Sequence, residues 1–266
     1  MIKRFYIEII NYCNLKCSFC LPNSCLKQIM GIDDFEKILV KINDNSKYIY
    51  LHIKGDPLLH PNLIAILDIC YKYQKRVVIV TNGTLVNEAT SMINSHPAVF
   101  KISISLHGIL ELDNYHDYLD NLKDFINNRQ CNMELRLWTI DKLSDDKRIA
   151  VYEFINQFTD NEIKTGYDIK LDHQLYLSFD KQFVWPDLSN KYYQGIKNCP
   201  ACKLMLCILV NGDVSVCCLD HNGLLKIGNI YENSMEEILN CERYLKIKQG
   251  FMDNKAIEEL CRHCSY

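Results

Sequence analysis

Apolar residues in the first two thirds of the chain form short continuous runs of strand length. These runs occupy residues 5–10, 48–53, 77–80, 100–106 and 133–140, with a weaker one at 168–179. Strands that are apolar along nearly their whole length are typical of a parallel sheet buried on both faces. The pattern therefore predicts six parallel strands rather than an antiparallel sheet with one solvent-exposed face.

Between these runs, apolar residues recur every three to four positions, as on one face of a helix. In residues 33–42 Asp33 can cap the helix start, and the predicted buried face consists of Phe35, Ile38, Leu39 and Ile42. A second helix is predicted in residues 61–73, with Pro61 at its start. Alternating strands and helices form right-handed βαβ units, so we expect an α/β fold, a partial (β/α)6 TIM-like barrel.

The pattern changes beyond Trp185, where regular alternation stops. Eight of the fourteen cysteines lie after residue 198, and the stretch WPDLSN supplies turn-forming residues before them. We therefore predict a barrel in residues 1–180, a linker in 181–198 and a small C-terminal domain in 199–266. In this domain the sequence NGD at 211–213, between two apolar runs, predicts a β-hairpin.

Composition limits the classes of function. The 266 residues carry a net charge of −3, and no basic patch of the kind that binds nucleic acid is present. The apolar runs are too short to cross a membrane, and no signal peptide is recognisable, so we expect a cytoplasmic protein with neither nucleic acid nor membrane as partner. In a reducing compartment, clustered cysteines favour metal or iron–sulfur ligation over disulfides.

Three cysteines directly follow the first predicted strand, as Cys13, Cys17 and Cys20 in a C-x3-C-x2-C pattern. A structural zinc site normally takes four protein ligands, whereas three thiolates fit a [4Fe-4S] cluster with one iron left open. A zinc loop remains the alternative. Barrels of this class carry their chemistry at the C-terminal ends of the strands, which is where this loop falls.

With Phe19 as its aromatic residue, the sequence CNLKCSFC resembles the cluster loop of radical S-adenosylmethionine (radical SAM) enzymes, C-x3-C-x-aromatic-C. The resemblance implies that the open iron binds S-adenosylmethionine. It also implies that one-electron reduction cleaves this cosubstrate to methionine and a 5′-deoxyadenosyl radical, which removes a hydrogen atom from the substrate. Flavodoxin or ferredoxin is then the expected electron donor.

The segment KGDP at 54–57 resembles the family's G-G-E-P motif, which orients the methionyl amine. Lys54 stands where the motif has its first glycine, and Asp56 where it has glutamate. The resemblance assigns cofactor contacts to this segment through Gly55, Asp56 and Pro57. Because backbone groups make much of this contact in the family, the departures are compatible with the role, and the role of Lys54 itself is open.

Two further positions are implied to hold the carboxylate end of S-adenosylmethionine. They are Ser105 at the end of the fourth strand and Arg136 in the fifth. The planar guanidinium group of arginine suits a carboxylate because it can donate two parallel hydrogen bonds. The alternative for Arg136 is a charge on the barrel exterior beside Glu134.

The cysteines of the C-terminal region resemble those of the SPASM/twitch extension of the same family. A C-x12-G-x4-C pattern spans the predicted hairpin, and a single C-x2-C follows it, so the shorter twitch form with one auxiliary [4Fe-4S] cluster is expected. The implied ligands are Cys199, Cys217, Cys261 and Cys264. Cys202 competes with Cys199 for the first place, and a four-cysteine zinc site is the alternative.

Four protein ligands would leave no open iron in the auxiliary cluster. It is therefore expected to conduct an electron away from the substrate radical, giving a product oxidised by two electrons. Dehydrogenases of aminocyclitols and sulfatase-maturating enzymes are the models that the resemblance offers. No residue identifies itself as a general acid or base, and His107 and Cys218 are the candidates for a catalytic role.

Two other functions are compatible with the sequence. One is an enzyme that crosslinks, epimerises or forms a thioether in a ribosomally made peptide. With Cys13 so near the start, we expect a separate partner protein to supply leader binding in that case. The other is a non-enzymatic iron–sulfur or zinc protein. The KGDP segment, Ser105 and Arg136 argue against the latter, since an electron carrier has no use for a cosubstrate pocket.

Overall fold

The computed structural model describes residues 2–20, 26–42, 46–87, 90–180, 182, 184–193 and 199–265. Within these ranges there are ten strands: β1 (Arg4–Ile7), β2 (Tyr48–Tyr50), β3 (Arg76–Thr81), β4 (Val99–Ser105), β5 (Asn132–Leu137), β6 (Ile169–Asp172), β7 (Leu175–Phe179), β8 (Met205–Ile208), β9 (Asp213–Ser215) and β10 (Lys226–Asn229).

Eight α-helices connect and cover these strands in the same ranges: α1 (Ile32–Ile42), α2 (Leu63–Lys72), α3 (Met92–Ser95), α4 (Tyr115–Asn127), α5 (Asp145–Asn156), α6 (Met235–Asn240), α7 (Glu242–Met252) and α8 (Glu259–Arg262). Short 3₁₀ turns lie at Pro57–Leu59, Leu106–Glu111 and Ile140–Lys142. All of the predicted buried face of α1 is buried. α2 begins two residues later than expected, because Pro61 lies in the turn before it and Asn62 occupies the N-cap position.

All ten strands belong to one sheet, in the order β10-β9-β8-β1-β2-β3-β4-β5-β7-β6. From β1 through β5 the neighbours are parallel, and β7 continues this parallel series beside β5. The expected partial barrel of six parallel strands, with helices between them, is therefore confirmed.

The sixth strand differs in detail from the sequence-based expectation. Residues 168–179 do not form one strand but a β-hairpin, in which β6 pairs antiparallel with β7 and only β7 joins the parallel series. The turn is made by His173 and Gln174, and Gln174 adopts a left-handed backbone conformation with φ of 57°. Glutamine is an unusual residue for that conformation, which is why the pattern concealed the turn.

The two faces of the sheet have different characters, because successive residues of a strand point to opposite faces. Side chains on one face, such as Phe5, Ile49 and Leu135, join the helices in a continuous apolar core. The opposite face is the inner face of the partial barrel and carries polar and aromatic side chains. On β1, β2 and β8 it holds a separate small cluster around Tyr6, with Ile53, Met205, Cys207 and Leu209.

The C-terminal region extends the barrel sheet directly. β8 pairs in parallel with β1, so that Tyr6 lies opposite Cys207, and β9 and β10 continue the sheet antiparallel. The predicted hairpin is confirmed between β8 and β9, with Gly212 at φ of 84° in its turn. The helix α6 starts with a capping box between Ser234 and Glu237, a common helix-start signal.

Candidate active site and cluster centres

The cysteine loop follows β1 and is held by backbone and side-chain hydrogen bonds. The Leu15 N–H points to Cys13 Sγ at 3.4 Å, and the Cys20 N–H bonds the Cys17 carbonyl at 2.9 Å. The Ser18 N–H donates to Glu111 Oε1 at 2.9 Å, which fixes the loop against the turn that follows β4. The loop thus has a defined course at the C-terminal end of the strand.

The three thiols of this loop are neighbours in space. Cys17 and Cys20 share a hydrogen bond, which raises the pKa of Cys17 and lowers the pKa of Cys20. Burial raises the pKa of Cys13, and Cys20 also acts on it electrostatically. The loop therefore brings the three predicted ligands together, with Cys20 exposed and Cys13 and Cys17 partly buried.

The donor chemistry of this loop fits an iron–sulfur cluster, because cysteine thiolates are the usual protein ligands of such clusters. A structural zinc site normally takes four protein ligands, whereas this loop supplies three, Cys13, Cys17 and Cys20. Among the described residues, no group of three or more cysteine, histidine or carboxylate side chains is placed to hold a single metal ion. The three thiols would bind three irons of a cluster and leave the fourth open.

Gly55 packs against the start of the cysteine loop. A Cβ atom at this position would lie 2.1 Å from the Ile10 carbonyl oxygen and 2.8 Å from that of Tyr12. The next residue, Asp56, donates its N–H to the Tyr12 carbonyl at 3.2 Å. Glycine is therefore required at position 55, because only a residue without a side chain allows this backbone approach.

The carboxylate of Asp56 is buried and already engaged by protein donors. It accepts hydrogen bonds from the Leu58 N–H at 3.0 Å, from the Thr81 hydroxyl at 2.8 Å and from the Asn82 N–H at 2.8 Å. Burial raises the pKa of Asp56, while these donors act in the opposite direction. Cofactor contacts from this segment would therefore come from its backbone, and the side chain ties the β2 loop to the β3 loop.

Asn82, which follows β3, is a site residue that sequence reasoning did not select. Its side-chain amide lies 3.3 Å from Cys13 Sγ and 3.0 Å from Asn14 Oδ1. Its carbonyl accepts the Tyr118 hydroxyl at 2.9 Å. In the sequence, only the tripeptide TNG at 81–83 pointed to this position, and a bare TNG fits an ordinary turn as well as an active-site loop. Hydrogen bonds to a cluster sulfur are one of the means by which a protein tunes such a cluster.

Arg136 lies on the inner face of the barrel. In the sheet register it stands between Ser105 of β4 and Ser178 of β7. Its guanidinium carbon is 3.7 Å from the centre of the Trp138 ring, a cation–π contact that fixes the direction of the side chain. Ser105 and Arg136 are therefore neighbours on the inner face, where Arg136 also acts electrostatically on His107, and their role in binding a carboxylate stays a prediction.

His107 connects the cysteine loop to this inner face. Its ring meets the Phe19 ring edge-on at 5.1 Å and stacks on Trp138 at 5.7 Å. Burial, together with the charge of Arg136, lowers the pKa of His107 to about 4. The imidazole is therefore neutral near pH 7. Its buried Nδ1 has no hydrogen-bond partner among the described residues, so it is available to bind a ligand rather than to supply a charge.

The C-terminal cysteines form a second group of neighbouring thiols. Cys199 interacts electrostatically with Cys217 and Cys264, and Cys261 interacts with all three. Burial raises the pKa of Cys199 to about 11. Cluster assembly must therefore displace protons from buried thiols, as is usual for thiolate ligands.

Cys202 belongs to the same neighbourhood. The residue is 2% exposed and its thiol interacts with Cys199, Cys217 and Cys261, so the choice between Cys199 and Cys202 as ligand stays a prediction. Cys218 is half-buried, shares a hydrogen bond with Cys217 and packs against the Tyr6 cluster on the inner face.

The other cysteines outside the two groups include Cys70, Cys131 and Cys207, which are buried, and Cys241, which is partly buried. Cys25 lies outside the described residues, as do residues 181, 183 and 194–198 of the predicted linker.

A partial (β/α) barrel with a three-thiol loop at the end of its first strand, and a second group of thiols in the C-terminal region, is the arrangement expected of an iron–sulfur enzyme of the barrel class. The radical SAM superfamily model matches residues 7–164, and the model of the SPASM iron–sulfur cluster-binding domain matches residues 198–265. The chain belongs to the radical SAM superfamily.

One curated relative is similar along most of the chain. It is the antilisterial bacteriocin subtilosin biosynthesis protein AlbA of Bacillus subtilis, 24% identical over 275 residues. The match covers 91% of this chain and 60% of AlbA, so the chain spans less than two thirds of that relative.

Solved structures of radical SAM enzymes share the fold. BtrN in complex with AdoMet and 2-DOIA gives a TM-score of 0.65 at 16% identity and covers 100% of this chain and 94% of BtrN. Streptococcus suis SuiB bound to S-adenosylmethionine gives a TM-score of 0.66 at 19% identity, and the match covers 99% of this chain and 71% of SuiB. The enzyme anSMEcpe with bound AdoMet gives a TM-score of 0.68 at 14% identity, and the match covers 100% of this chain and 86% of anSMEcpe.

Membership in this superfamily makes the protein an enzyme whose cofactors are a [4Fe-4S] cluster and S-adenosylmethionine, and the SPASM match adds auxiliary iron–sulfur binding. Enzymes of the superfamily reductively cleave S-adenosylmethionine to a 5′-deoxyadenosyl radical that abstracts a substrate hydrogen. Among the described residues, no helix combines the length and apolarity needed to cross a membrane.

Proposed function

We propose that the protein is an oxidising radical SAM enzyme: the 5′-deoxyadenosyl radical takes a hydrogen atom from the substrate, and the substrate radical then loses one electron to one auxiliary [4Fe-4S] cluster and a proton to solvent. The proposed ligands are Cys13, Cys17 and Cys20 for the first cluster, and Cys199, Cys217, Cys261 and Cys264 for the auxiliary one. When bound, the first cluster and S-adenosylmethionine supply the radical that takes the substrate hydrogen.

One observation carries the proposal: β1 and β8 are adjacent and in register. The cysteine loop leaves the end of β1, and Cys217 lies just beyond β9, the partner of β8 in the hairpin. Because β9 runs antiparallel to β8, Cys217 lies toward the N-terminal end of β1, so the two thiol groups lie beyond opposite ends of the stretch of inner face where Tyr6 lies opposite Cys207. A substrate held there would lie between the site of hydrogen removal and the electron acceptor.

The cofactor-binding roles follow from the same geometry. Backbone groups of Gly55, Asp56 and Pro57 would hold the methionyl amine, because the Asp56 carboxylate is occupied by Thr81 and Asn82. Ser105 and Arg136 would hold the carboxylate end.

Phe19 and His107 would line the space next to the cofactor, with His107 as a neutral hydrogen-bonding group. Cys218, beside the auxiliary thiols, is the second candidate for a catalytic residue.

For the substrate, we propose a ribosomally made peptide. AlbA is a bacteriocin biosynthesis protein that matches nearly the whole chain, and SuiB, with the same fold, has been seen bound to its precursor peptide SuiA. The inner face next to the two thiol groups is aromatic, with Tyr6 stacked on Tyr50 at 4.6 Å and His52 edge-on to Tyr6 at 5.4 Å. Such a surface suits an apolar or aromatic peptide side chain.

A small-molecule dehydrogenase is the second candidate. The observation in its favour is the match to BtrN, which covers all of this chain and 94% of BtrN and whose structure holds 2-DOIA. In that case the inner-face groups would bind substrate hydroxyl groups instead, including the Nδ1 atoms of His52 and His107, which have no hydrogen-bond partner within the described ranges.

The domain division into 1–180, 181–198 and 199–266 is part of this proposal, as are flavodoxin or ferredoxin as electron donor and a cytoplasmic location. The single sheet means that the proposed domains are joined through backbone hydrogen bonds between β1 and β8 as well as through the linker.

Anaerobic reconstitution followed by reaction with S-adenosylmethionine and dithionite tests the enzyme class and the cluster count. We expect 5′-deoxyadenosine and about eight irons per chain, since each cubane holds four irons. A Cys217→Ala/Cys261→Ala variant should retain about four irons and still cleave S-adenosylmethionine. No 5′-deoxyadenosine from the fully reconstituted chain would overturn the proposal, and about four irons plus zinc would overturn the auxiliary cluster.

Co-expression with a short precursor peptide encoded beside the gene tests the substrate. Mass spectrometry should show loss of two hydrogen atoms in the peptide with the complete enzyme, and none with the Cys217→Ala/Cys261→Ala variant. An unmodified peptide, combined with turnover of an aminocyclitol, would favour the second candidate.

A further inference from the structure

Lys54 is the basic residue of the KGDP segment, which packs against the start of the cysteine loop. It stands where the G-G-E-P motif of the family has its first glycine, and its side chain is half-buried. Directly after it, Gly55 contacts the backbone of Ile10 and Tyr12, the last residues before Cys13. Lys54 is therefore the neighbour in sequence of the residue through which the loop after β2 packs against the cysteine loop.

The surroundings of Lys54 come from three different parts of the chain. Its backbone N–H donates to the carboxylate of Glu8, a residue only 3% exposed at the end of β1, and its ammonium group interacts with the same carboxylate. The ammonium also acts electrostatically on Cys20 of the cluster loop and on His221 of the C-terminal region. This charge thus sits where the barrel, the cluster loop and the extension meet.

Water only weakly screens the interaction between a charge in this position and the thiolates of the cysteine loop. Two unit charges interact several times more strongly near a protein surface than in bulk water, and burial increases the interaction further. Exposed charges are screened by salt within about 10 Å. Lys54 is half-buried and packed between Glu8 and the loop, whereas Lys16, inside the loop itself, is exposed. The two lysines therefore differ in coupling to the thiolates, although Lys16 is nearer in sequence.

We propose that Lys54 tunes the first cluster, raising the reduction potential of the iron–sulfur centre held by Cys13, Cys17 and Cys20. Reduction adds one electron to the cluster, so a fixed positive charge nearby stabilises the reduced form more than the oxidised form. Net charge around the cluster is one of the variables that set iron–sulfur potentials. Lys54 acts here through the cluster and touches no substrate, and the inference rests on the ligand set of the proposed function.

An EPR-monitored potentiometric titration of the reconstituted protein, without S-adenosylmethionine or substrate, tests this role. Lys54→Met removes the charge and keeps the length of the side chain, while Lys54→Arg keeps the charge. Lys16→Met is the matched control, because it removes an equal charge from the exposed part of the same loop. All four proteins are titrated at pH 8 in the same buffer and salt.

We expect the midpoint potential of the first cluster to become more negative in Lys54→Met, to stay near wild type in Lys54→Arg, and to change little in Lys16→Met. Equal potentials in wild type and Lys54→Met would overturn the inference, as would an equal shift in Lys16→Met. Should Lys54→Met fail to hold the cluster, Glu8→Gln tests the inference in the opposite direction. Removing the anion beside Lys54 should make the midpoint potential less negative. An unchanged or more negative midpoint potential would contradict the inference.

The outcome is separable from that of the proposed function. A shifted potential in a protein that forms no 5′-deoxyadenosine would support the role of Lys54 and contradict the proposed reaction. A chain that assembles no cluster through Cys13, Cys17 and Cys20 overturns the ligand set and this inference together.

Discussion

Thr81 donates its hydroxyl hydrogen toward both carboxylate oxygens of Asp56, at 2.8 and 3.0 Å, inside the barrel. Asp56 belongs to the segment that replaces the G-G-E-P motif, and Thr81 to the end of β3. The bond therefore holds two loops of the candidate site in a fixed relation. Since the Asp56 carboxylate is buried, a hydrogen-bond donor that lost this acceptor would be left without a partner.

Replacing Asp56 by asparagine should destabilise the protein. The amide keeps the shape but offers one acceptor atom in place of two, so either the Leu58 N–H or the Asn82 N–H loses its bond at a cost of about 2 kcal/mol. Thermal unfolding under anaerobic conditions measures this, with Asp146→Asn as the control, because Asp146 is exposed on α5. Equal unfolding temperatures for the two variants would show that the network does not contribute to stability.

Gly55→Ala should disturb the cofactor site itself. The added methyl group would meet the Ile10 carbonyl oxygen at 2.1 Å, so the backbone before Cys13 must move. We expect at least a tenfold weaker binding of S-adenosylmethionine, seen as loss of the cosubstrate-induced change in the EPR spectrum. Gly31→Ala is the matched control, since its Cβ would have an ordinary contact of 3.5 Å with Asp34. Normal binding by Gly55→Ala would refute the close-approach argument.

The first ligand of the auxiliary cluster can be identified by iron content. We expect Cys199→Ser to retain about four irons, as for one remaining cubane, and Cys202→Ser to retain about eight. Cys199 interacts with Cys264 as well as Cys217, while the thiol of Cys202 is buried in the apolar core. The reverse pattern of iron loss would assign the ligand to Cys202.

Glu8 should make stability depend on pH. Burial raises the pKa of Glu8 from 4.5 to about 7. Between these values the folded protein binds more protons than the unfolded chain, so stability falls as pH rises through that window. The loss reaches about 3 kcal/mol above pH 7, at 1.36 kcal/mol per pKa unit.

The variant Glu8→Gln cannot ionise and should therefore lack this loss. Its unfolding temperature, relative to wild type, should rise between pH 5 and pH 8. The exposed Glu153, changed to glutamine, provides the control. A difference between Glu8→Gln and wild type that is constant over this pH range would show that the carboxyl group does not titrate in that window.

The elements that the sequence predicted well are those whose signal is local. The face of α1 follows from helical spacing alone, and the hairpin between β8 and β9 follows from NGD between apolar runs. The cysteine spacing places three thiols in one short loop. In each case the deciding residues are close in sequence, so periodicity and turn chemistry were sufficient.

The features that were missed depend on contacts between distant parts of the chain. Asn82 reaches the sulfur of Cys13 across 69 positions, and no pattern within the tripeptide TNG indicates this. The parallel pairing of β8 with β1 joins residues about 200 positions apart. The turn at Gln174 was hidden because a glutamine adopts the left-handed conformation there. These contacts arise from tertiary packing, which propensities do not encode.

The position of β1 between β2 and β8 has a consequence for dissecting the protein. A fragment that stopped near residue 180 would lack β8, and the N–H and C=O groups along one side of β1 would have no ladder partner. Exposed strand borders of this kind invite pairing with other copies. Shortened versions of the enzyme are therefore expected to self-associate unless a replacement strand covers that side.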